Sequence, residues 1–371
     1  MDEELRIIIS GGGTGGHIFP AVSIANAIKA QHHDAKILFV GALGRMEMQR
    51  VPAAGYEIKG LPICGFDRKN MLKNIKVLFK IWKSQRMARR IIRDFKPMAA
   101  VGVGGYASGP TLNEAAKMGI PCLIQEQNSY AGVTNKLLAK KTARICVAYD
   151  GMERFFPADK ILMTGNPVRQ SLLETKLTRG EALASFGLKE GPKTILVVGG
   201  SLGARTMNES VLNYLDELAK SDVQLIWQTG KYYSMQVGEE LALRGKPDNI
   251  CVTEFIADMG AAYRAADLVI SRAGAGSISE FCLLGMPAIL VPSPNVAEDH
   301  QTKNAKALEA KDAAICVSDA KAPERAIPLA MKIVADDKRL ATLSANIRKL
   351  AKPDAADTIA REVVKLARGG R

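Results

Sequence analysis

Residues 5–17 read LRIIISGGGTGGH, an apolar run that ends in a glycine-rich turn. The residues that follow, 20–29, have the pattern of an amphipathic helix. Pro20 fits the first turn of that helix, where the missing N–H of proline is tolerated. The stretch therefore predicts a strand, a glycine turn and a helix, the repeating unit of a parallel α/β sheet.

A second unit of the same kind lies near the middle of the chain, where residues 194–203 read TILVVGGSLG. Each unit is the opening of a Rossmann-like domain. The length of 371 residues also suits two domains. We predict two Rossmann-like parallel-sheet domains that face each other across a cleft, residues 1–165 and 166–353, and a last helix within 354–371 that fits either half.

Other short apolar segments continue the alternation of strands and helices. In the first half they are 36–41, 98–102, 122–125 and 144–148. In the second half they are 224–228, 250–253, 268–271, 288–291 and 314–317. Helices are predicted at 204–219 and 277–284.

Composition excludes several classes of protein. Hydrophobic residues make up 47% of the chain and charged residues 24%, which is typical of a packed globular protein and not of a disordered one. No apolar run approaches the roughly 20 residues of a membrane-spanning helix, and the acidic N-terminus does not resemble a signal peptide. The six cysteines form no C-x-x-C pair, so we expect free, buried thiols in a reducing cytosol.

The positive charge is concentrated in one segment. The formal net charge is +13, and residues 68–96 contain eleven Lys and Arg residues but only one acid, Asp94. Apolar residues recur there at helical spacing, so the segment predicts an amphipathic helix. It is either a surface helix with its apolar side in the core or a helix that contacts anionic lipid, and the two are compatible. A nucleic-acid partner is not expected, because no aromatic platform or binding motif accompanies the charge.

The first glycine turn matches the dinucleotide pattern at Gly11, Gly13 and Gly16. However, the next strand ends without the acid that would bind a ribose, which argues against a nicotinamide cofactor. Amide groups at a helix N-terminus favour phosphate. The glycines either serve that purpose or only permit a tight turn. Thr14 and His17 lie beside them and favour chemistry at this position.

Three later glycine turns extend the pattern. Residues 102–109 either bind a ligand or allow close packing, and residues 199–204 offer amides and the Ser201 hydroxyl at a helix start. In the turn at 272–280, Glu280 lies one helical turn in, where it either binds vicinal ribose hydroxyls or pairs with the helix dipole. No D-x-D motif is present, so we expect no metal site. Amides, helix dipoles and Arg169 would then stabilise a departing diphosphate.

Eight motifs occur in an order that resembles the MurG family of bacterial glycosyltransferases. They are GGGTGGH at 11–17, GGYASG at 104–109, QEQN at 125–128, NPVR at 166–169, GGSLGA at 199–204, FIADM at 255–259, SISE at 277–280 and DHQTKN at 299–304. The resemblance implies the two-domain GT-B fold, with the last helix crossing back onto the first domain. It also implies transfer of N-acetylglucosamine from UDP-GlcNAc to lipid I, which gives lipid II for peptidoglycan synthesis, cell shape and cell division.

The resemblance also assigns roles to residues. Ile256 meets the uracil, Glu280 the ribose, and Ser201 with Ala275, Gly276 and Ser277 the diphosphate. The remaining residues implied on the donor side are Thr14, Gly15, Gly16, Asn128, Arg169, Gln301 and Asn304. The residues implied near the acceptor diphosphate are Gly13, Gly104, Gly105 and Tyr106. The chain departs from many relatives at Gln125, where they have histidine, and at His300, where some have glutamine.

We interpret His17 as the general base of an inverting, metal-independent transfer, because its ordinary pKa near 6.5 suits proton removal at neutral pH. A hydrogen bond to the acceptor or to the leaving group is the alternative role. The resemblance implies no cofactor, a peripheral location on the cytoplasmic face of the membrane, and other cell-wall synthesis proteins as partners. Another GT-B enzyme that acts on UDP-sugars, either a glycolipid glycosyltransferase or a UDP-GlcNAc epimerase, is the alternative function.

Overall fold

Two parallel sheets organise the chain. The computed structural model describes residues 4–64, 74–168, 172 and 176–370, apart from the side chains of residues 74–78 and 297. The chain divides into one unit formed by Met1–Val168 and Lys352–Arg371 and a second formed by Arg169–Ala351. The fold is therefore α/β with two parallel-sheet domains, as predicted.

The first unit contains a sheet of seven strands in the order β3-β2-β1-β4-β5-β6-β7, with every neighbouring pair parallel. The strands are β1 Arg6–Ser10, β2 Lys36–Ala42, β3 Glu57–Leu61, β4 Ala99–Gly102, β5 Cys122–Glu126, β6 Arg144–Val147 and β7 Ile161–Met163. The sequence analysis missed the edge strands β3 and β7. In β3, exposed Glu57 and Lys59 interrupt the apolar pattern, and β7 has only three residues, all half-buried.

Six α-helices belong to the described part of the first unit. They are α1 Gly15–Gln31, α2 Glu47–Ala53, α3 Asn74–Phe95, α4 Ser108–Lys117, α5 Val133–Leu138 and α15 Ala355–Ala367. Helix α1 begins five residues before its predicted start at Pro20, because Thr14 has extended backbone angles and caps a helix whose first residues are glycines. Pro20 therefore lies in the second turn of α1 and not in the first.

Helix α15 lies in the first unit although it comes last in the chain. Its residues Ile359, Ala360 and Val363 are fully buried in the same core as α1 and β1. At the surface, the Gln31 side chain at the end of α1 donates to the backbone oxygen of Asp357. The first core is therefore closed by the end of the chain.

The second unit contains a sheet of six strands in the order β10-β9-β8-β11-β12-β13, again with all pairs parallel. The strands are β8 Thr194–Val198, β9 Gln224–Gln228, β10 Ile250–Thr253, β11 Leu268–Ser271, β12 Ala288–Leu290 and β13 Ile315–Cys316. All six coincide with predicted segments, because each is an unbroken apolar run between helices.

Nine helices surround this second sheet within the described residues. They are α6 Arg179–Ser185, α7 Arg205–Asn213, α8 Leu215–Lys220, α9 Ser234–Arg244, α10 Met259–Ala265, α11 Ala275–Leu284, α12 His300–Glu309, α13 Ala322–Val334 and α14 Asp337–Arg348. The helix predicted over 204–219 is broken into α7 and α8 at Tyr214, whose hydroxyl donates to the Glu324 backbone oxygen.

The cysteines are free, and three of them are buried. Burial raises the pKa of the Cys122, Cys146 and Cys282 thiols to about 12, so these thiols are protonated and poorly reactive at neutral pH. Cys64, Cys251 and Cys316 are only partly buried, unlike the sequence-based expectation. Among the described residues, none of the helices has the length and apolar content needed to cross a bilayer.

Both sheets reverse their strand order beside their first strand. In the first unit β1 lies between β2 and β4, and in the second β8 lies between β9 and β11. Parallel α/β sheets bind ligands at the carboxyl ends of the strands where the order reverses, because the loops diverge there. The four glycine turns follow β1, β4, β8 and β11, so each pair lies at such a point.

Candidate functional site

The two glycine turns of the first unit pack directly against each other. Gly105, in the turn after β4, has φ of +85°, which favours glycine. A Cβ atom at Gly105 would lie 2.9 Å from the backbone nitrogen of Gly12, in the turn after β1. Close packing, one of the two functions considered for residues 102–109, is therefore present in this structure.

His17 lies in the first turn of α1 and is half-buried. Its Nδ1 is 3.0 Å from the backbone oxygen of Gly12 and 3.4 Å from Oγ1 of Thr14. Because a carbonyl oxygen only accepts, the contact with Gly12 places the proton of a neutral imidazole on Nδ1. Nε2 then carries the lone pair, on the side of the ring where a Cβ at Gly104 would lie 2.9 Å away.

Glu47, which the sequence analysis did not select, is buried beside the same turn. Its Oε2 accepts the N–H of Gly13 at 2.8 Å, and its Oε1 accepts the N–H of Ala42 at 3.0 Å. Gly13 is predicted to lie near the acceptor diphosphate. In this structure its N–H is donated to Glu47.

Asn128, predicted on the donor side, is held by the buried carboxylate of Glu126 at the end of β5. Oε1 of Glu126 accepts from the backbone nitrogen of Asn128 at 3.1 Å and from its side-chain nitrogen at 3.3 Å. Oε2 accepts from Gly132 and from Asn135, each at 2.9 Å. Four donors therefore fix the loop that carries Asn128.

Gln125 lies under this loop and is fully buried. Its Nε2 donates to Oδ1 of Asn166 at 2.8 Å. The Asn166 side chain in turn donates to the backbone oxygen of Gln127, and the Gln127 side chain donates to Val103. Gln125 is thus part of a buried amide network that joins the QEQN and NPVR motifs.

The other predicted residues of the first unit lie at the surface of the turns. Gly15 and Gly16 are the first residues of α1, and Thr14 precedes them with its side chain exposed. Tyr106, with 47% of its surface exposed, precedes α4. These residues therefore lie at or just before the N-termini of two helices, α1 and α4.

In the second unit, the turn at 199–203 is fixed by its neighbour after β9. The N–H groups of Lys231 and Tyr232 donate to the backbone oxygens of Ser201 and Leu202 at 3.1 and 3.2 Å. Gly203 has φ of +89°, and a Cβ there would lie 2.6 Å from the Tyr233 ring. The backbone oxygens of Ser201 and Leu202 are therefore already hydrogen-bonded, while the Ser201 residue itself is exposed.

Helix α11 begins without a side-chain cap. Its N-cap residue is Gly274, and its first three residues are Ala275, Gly276 and Ser277. The first N–H groups of a helix have no partner within the helix, so they form a ready site for an anion. Among the described atoms, a Cβ at Gly274 or at Gly276 would meet nothing within 4 Å, so the start of α11 is open.

Glu280 lies one turn further along α11 and is half-buried. Its Oε2 accepts the hydroxyl of Tyr263 on α10 at 2.8 Å. Tyr263 is itself buried and stacks edge-on against Phe281 at 5.8 Å between ring centres. The carboxylate is therefore held in place by a rigid aromatic donor, which the sequence analysis did not identify.

The remaining donor-side residues differ in exposure. Ile256 is buried and follows the exposed Phe255 in the loop before α10. Asn304 is fully buried, and its side chain donates to the Ala273 backbone oxygen at 3.4 Å, so it supports the start of α11 from below. Gln301 is half-buried, and its Oε1 accepts the N–H of Ser293 at 2.8 Å.

A cavity of about 540 Å³ lies between the glycine turn, the start of α7 and the loop before α12. Its polar wall is an ion pair in which Arg272 donates to Asp319 at 2.5 Å, and Thr206 donates to the same carboxylate at 2.6 Å. The lining residues are Gly199, Gly200, Gly203, Ala204, Arg205, Thr206, Tyr233, Arg272, Ser293, Pro294, Asn295, Gln301 and Asp319. Amides and arginines in one cavity favour a phosphorylated ligand.

Two predicted features lie wholly or partly outside the described residues. Arg169 lies outside the described residues, as do residues 68–73 of the basic segment. Among the described side chains, no three His, Cys, Asp or Glu residues come together as a metal-binding group would.

Comparison with known proteins covers nearly the whole chain. The glycosyltransferase family 28 N-terminal domain matches residues 7–147, and the family 28 C-terminal domain matches residues 194–359. A Phocaeicola vulgatus protein is 68% identical over 99% of this chain and 98% of its own length, and a Porphyromonas gingivalis protein is 55% identical over 98% and 96%. Both are named UDP-N-acetylglucosamine--N-acetylmuramyl-(pentapeptide) pyrophosphoryl-undecaprenol N-acetylglucosamine transferase.

Solved structures show the same architecture. The crystal structure of Acinetobacter baumannii MurG is 30% identical and superposes with a TM-score of 0.78 over 97% of this chain and 99% of that one. A UDP-GlcNAc 2-epimerase from Neisseria meningitidis, bound to UDP-GlcNAc, superposes with a TM-score of 0.69 over 98% and 100% of the two chains. At 13% identity the epimerase shares the fold alone.

Proposed function

This chain belongs to glycosyltransferase family 28 and to its MurG group, and from that premise we propose that it transfers N-acetylglucosamine from UDP-GlcNAc to lipid I, forming lipid II. The start of α11 is the observation that carries the proposal. It presents open amides at Ala275–Ser277 and, on the same helix, the Glu280 carboxylate, to which we assign the ribose. Helix N-terminal amides favour phosphate and a carboxylate accepts ribose hydroxyls, so the two groups together suit a nucleoside diphosphate.

In the proposed reaction the 4-hydroxyl of the acceptor attacks the anomeric carbon while UDP leaves. The bond to the diphosphate breaks, its electron pair departs with UDP, and the α-linkage of the donor becomes a β-1,4 linkage. His17 Nε2 takes the hydroxyl proton, consistent with the contact of Nδ1 to Gly12. Amide groups at the turns, Ser201 and Arg169 stabilise the negative charge of the departing UDP without a metal ion.

The other residues of the donor site keep the roles implied by the resemblance. Ile256 meets the uracil through its backbone, and Gln301 reaches the sugar hydroxyls after release from Ser293. Asn304 acts by supporting the α11 turn. On the first unit, Gly104, Gly105 and Tyr106 lie near the acceptor diphosphate, and so does Gly13, whose N–H is donated to Glu47.

Transfer of labelled sugar into lipid tests the function. Radiolabelled UDP-GlcNAc and lipid I are expected to give butanol-extractable product, whereas UDP-glucose and UDP-GalNAc are expected to give much less. EDTA should leave the rate unchanged. Label that stays in water-soluble nucleotide sugar, with conversion to the 2-epimer, would instead support the epimerase alternative.

His17→Ala should lower kcat by roughly 10²–10⁴ if His17 is the base, and an unchanged kcat would exclude that role.

The proposed membrane contact rests on helix α3. Phe79 and Trp82 are 65% and 50% exposed, and the Arg86 guanidinium lies 4.7 Å from the centre of the Trp82 ring. Lys83 and Arg89 are exposed on the same helix, while Ala88 and Ile92 are buried in the core. Aromatic and basic side chains exposed together favour the surface of an anionic bilayer.

Vesicle flotation tests this contact. We expect binding to vesicles that contain phosphatidylglycerol, weaker binding at high salt, and little binding to phosphatidylcholine alone, since each basic residue contributes about 1 kcal/mol at an anionic surface. Trp82→Ala should reduce binding, and Tyr232→Ala, an exposed aromatic on the second unit, is the matched control. Binding that ignores lipid charge and salt would argue against the contact. The peripheral location on the cytoplasmic face and the association with other cell-wall synthesis proteins remain proposals that the resemblance implies.

A further inference from the structure

Glu47 is a buried carboxylate that the proposed reaction does not use. It is the first residue of α2 and only 1% of its surface is exposed. Its two oxygens accept backbone N–H groups from different elements, Gly13 in the turn after β1 and Ala42 at the end of β2. Burial removes the carboxylate from water, which costs free energy unless protein donors replace the lost hydrogen bonds. The two backbone N–H groups supply this compensation at Glu47.

Two glycines make room for the Glu47 side chain. A Cβ at Gly41 would lie 2.6 Å from its Cγ, and a Cβ at Gly12 would lie 2.7 Å from its Oε2. Larger residues at either position would displace the carboxylate. The backbone around Glu47 is therefore shaped to hold it against the glycine turn.

The Gly13 N–H and the Gly12 carbonyl belong to one planar peptide group. In a trans peptide these two groups point in opposite directions. The N–H is donated to Glu47 at 2.8 Å, and the carbonyl oxygen lies 3.0 Å from Nδ1 of His17. The carboxylate and the imidazole thus lie on opposite sides of the same peptide.

We propose that Glu47 is a positioning residue that acts on His17 through the Gly12–Gly13 peptide. This inference rests on the base role of His17 in the proposed function. The anionic carboxylate polarises the peptide and makes the Gly12 oxygen a stronger acceptor, because hydrogen bonds in a chain strengthen one another. The stronger acceptor fixes the Nδ1–H tautomer and stabilises the imidazolium that forms when Nε2 takes the hydroxyl proton. Glu47 keeps its two backbone hydrogen bonds throughout, so it orients the base and takes no proton from it.

Among the described residues, the titratable groups named so far at this peptide or in the turn packed on it lie on three elements. They are His17 on α1, Glu47 on α2 and Tyr106 in the turn whose Gly105 packs on Gly12. Of these, Glu47 is the anion hydrogen-bonded to the peptide. Its removal should therefore move the acid limb of the pH–kcat profile to lower pH, since an anion favours the protonated imidazole.

Glu47→Gln is the main test. The glutamine has one oxygen for two N–H donors and no charge, so we expect kcat to fall about tenfold, because charged hydrogen bonds are about 1.4 kcal/mol stronger than neutral ones. KM for UDP-GlcNAc and the affinity for UDP should stay unchanged, which also reports correct folding. Glu47→Asp keeps the charge and should recover part of kcat. Glu114→Gln, a buried carboxylate on α4 that pairs with Lys117, is the matched control and should leave kcat and the pH profile unchanged.

The tautomer of His17 supplies a readout independent of turnover. With 15N-labelled histidine, the ring nitrogens of the unmodified protein should show the Nδ1–H form, and the Glu47→Gln protein should show a mixture of both forms. Loss of kcat in His17→Ala together with an unchanged kcat, pH profile and tautomer in Glu47→Gln would overturn the role of Glu47 and leave the base role intact. An unchanged kcat in His17→Ala would instead overturn the base role itself.

Discussion

At the scale of single residues, long-range hydrogen bonds decide which polar groups are ready for chemistry. Tyr263 and Glu280 lie on different helices, yet a hydroxyl–carboxylate contact of 2.8 Å joins them. The exposed Ser201 and the open start of α11 lie at the carboxyl end of the same sheet, where we propose that the donor binds. The candidate site is therefore formed by groups that other residues hold in position.

Glu280→Gln should weaken UDP binding by about 1.5–3 kcal/mol, because hydrogen bonds from the ribose to a charged acceptor are lost. Tyr263→Phe keeps the ring but removes the donor, and should weaken binding by about 0.5–1.5 kcal/mol. Calorimetric titration with UDP and with 2′-deoxy-UDP measures both effects. The Glu280→Gln protein should no longer distinguish the two ligands. If it still prefers UDP as strongly as the unmodified protein does, Glu280 does not bind the ribose.

At the scale of elements, the glycine turns set how closely strands, turns and helices approach. The contact between Gly105 and Gly12 joins the turn after β4 to the turn after β1. No side chain fits between these two backbones, and the position of His17 depends on the turn at Gly12. Packing and function therefore depend on the same glycines.

Gly105→Ala should lower both stability and kcat. The new Cβ would meet the Gly12 backbone, and alanine does not readily adopt φ of +85°, so we expect a loss of about 1–3 kcal/mol. Gly109→Ala is the matched control, since its Cβ would lie 3.6 Å from Thr134 in ordinary contact. Thermal melting and steady-state kinetics measure both variants. Equal effects of the two changes would show that helix α4, and not the contact between the turns, is responsible.

An ion pair ties the turn before β13 to helix α14. Arg339 donates to both oxygens of Asp312, at 2.7 and 2.8 Å. The hydrogen bond from Arg339 lowers the pKa of the Asp312 carboxyl below its ordinary value and raises the pKa of the guanidinium. A lowered carboxyl pKa stabilises the fold above the unfolded pKa of about 3.9, and this stability is lost as pH falls through the folded pKa.

Asp312→Asn should therefore reduce the free energy of unfolding slightly at pH 7, by about 0.2–1 kcal/mol for an exposed pair. Asparagine tolerates the positive φ of this position, so backbone strain does not contribute. Urea unfolding at pH 7 and at pH 3 measures the change, which should shrink at the lower pH. The exposed Asp222→Asn is the control. A difference that persists unchanged at low pH would attribute the loss to something other than the ion pair.

At the scale of the whole molecule, each unit has a core of its own. In the first unit Ile359 of α15 is fully buried with α1 and β1, and in the second Ile327 of α13 is fully buried with β8 and β11. Trp227 is fully buried in the second core. The final helix thus closes the core of the unit that begins the chain.

Ile359→Ala should destabilise the first unit by about 2–5 kcal/mol, because the cavity left by the lost side chain cannot collapse fully. In a Trp82→Phe background, where Trp227 is the one remaining tryptophan, its fluorescence during urea unfolding reports the second unit, and the midpoint should stay unchanged. Ile327→Ala should do the reverse and shift the Trp227 transition. If Ile359→Ala moves the Trp227 transition equally, the two cores do not unfold independently.

The order of residues along the chain was enough to predict the α/β class, the two parallel sheets and every strand of the second sheet. These features depend on local apolar runs and glycine turns, which are readable residue by residue. The sequence analysis still missed the polar edge strand β3 and the early start of α1. Their local sequence patterns are weak, so tertiary contacts decide which structure these residues adopt.

Tertiary structure alone decided which groups support the candidate site. Glu47 reaches Gly13 across 34 positions of sequence, and Tyr263 reaches Glu280 across 17. Strand β2 has no acidic residue at its end. The helix that follows it, α2, begins with Glu47, and this side chain reaches back to the glycine turn after β1. Such contacts depend on strand order and helix placement, and a hydrogen bond between distant residues leaves no periodic pattern in the sequence.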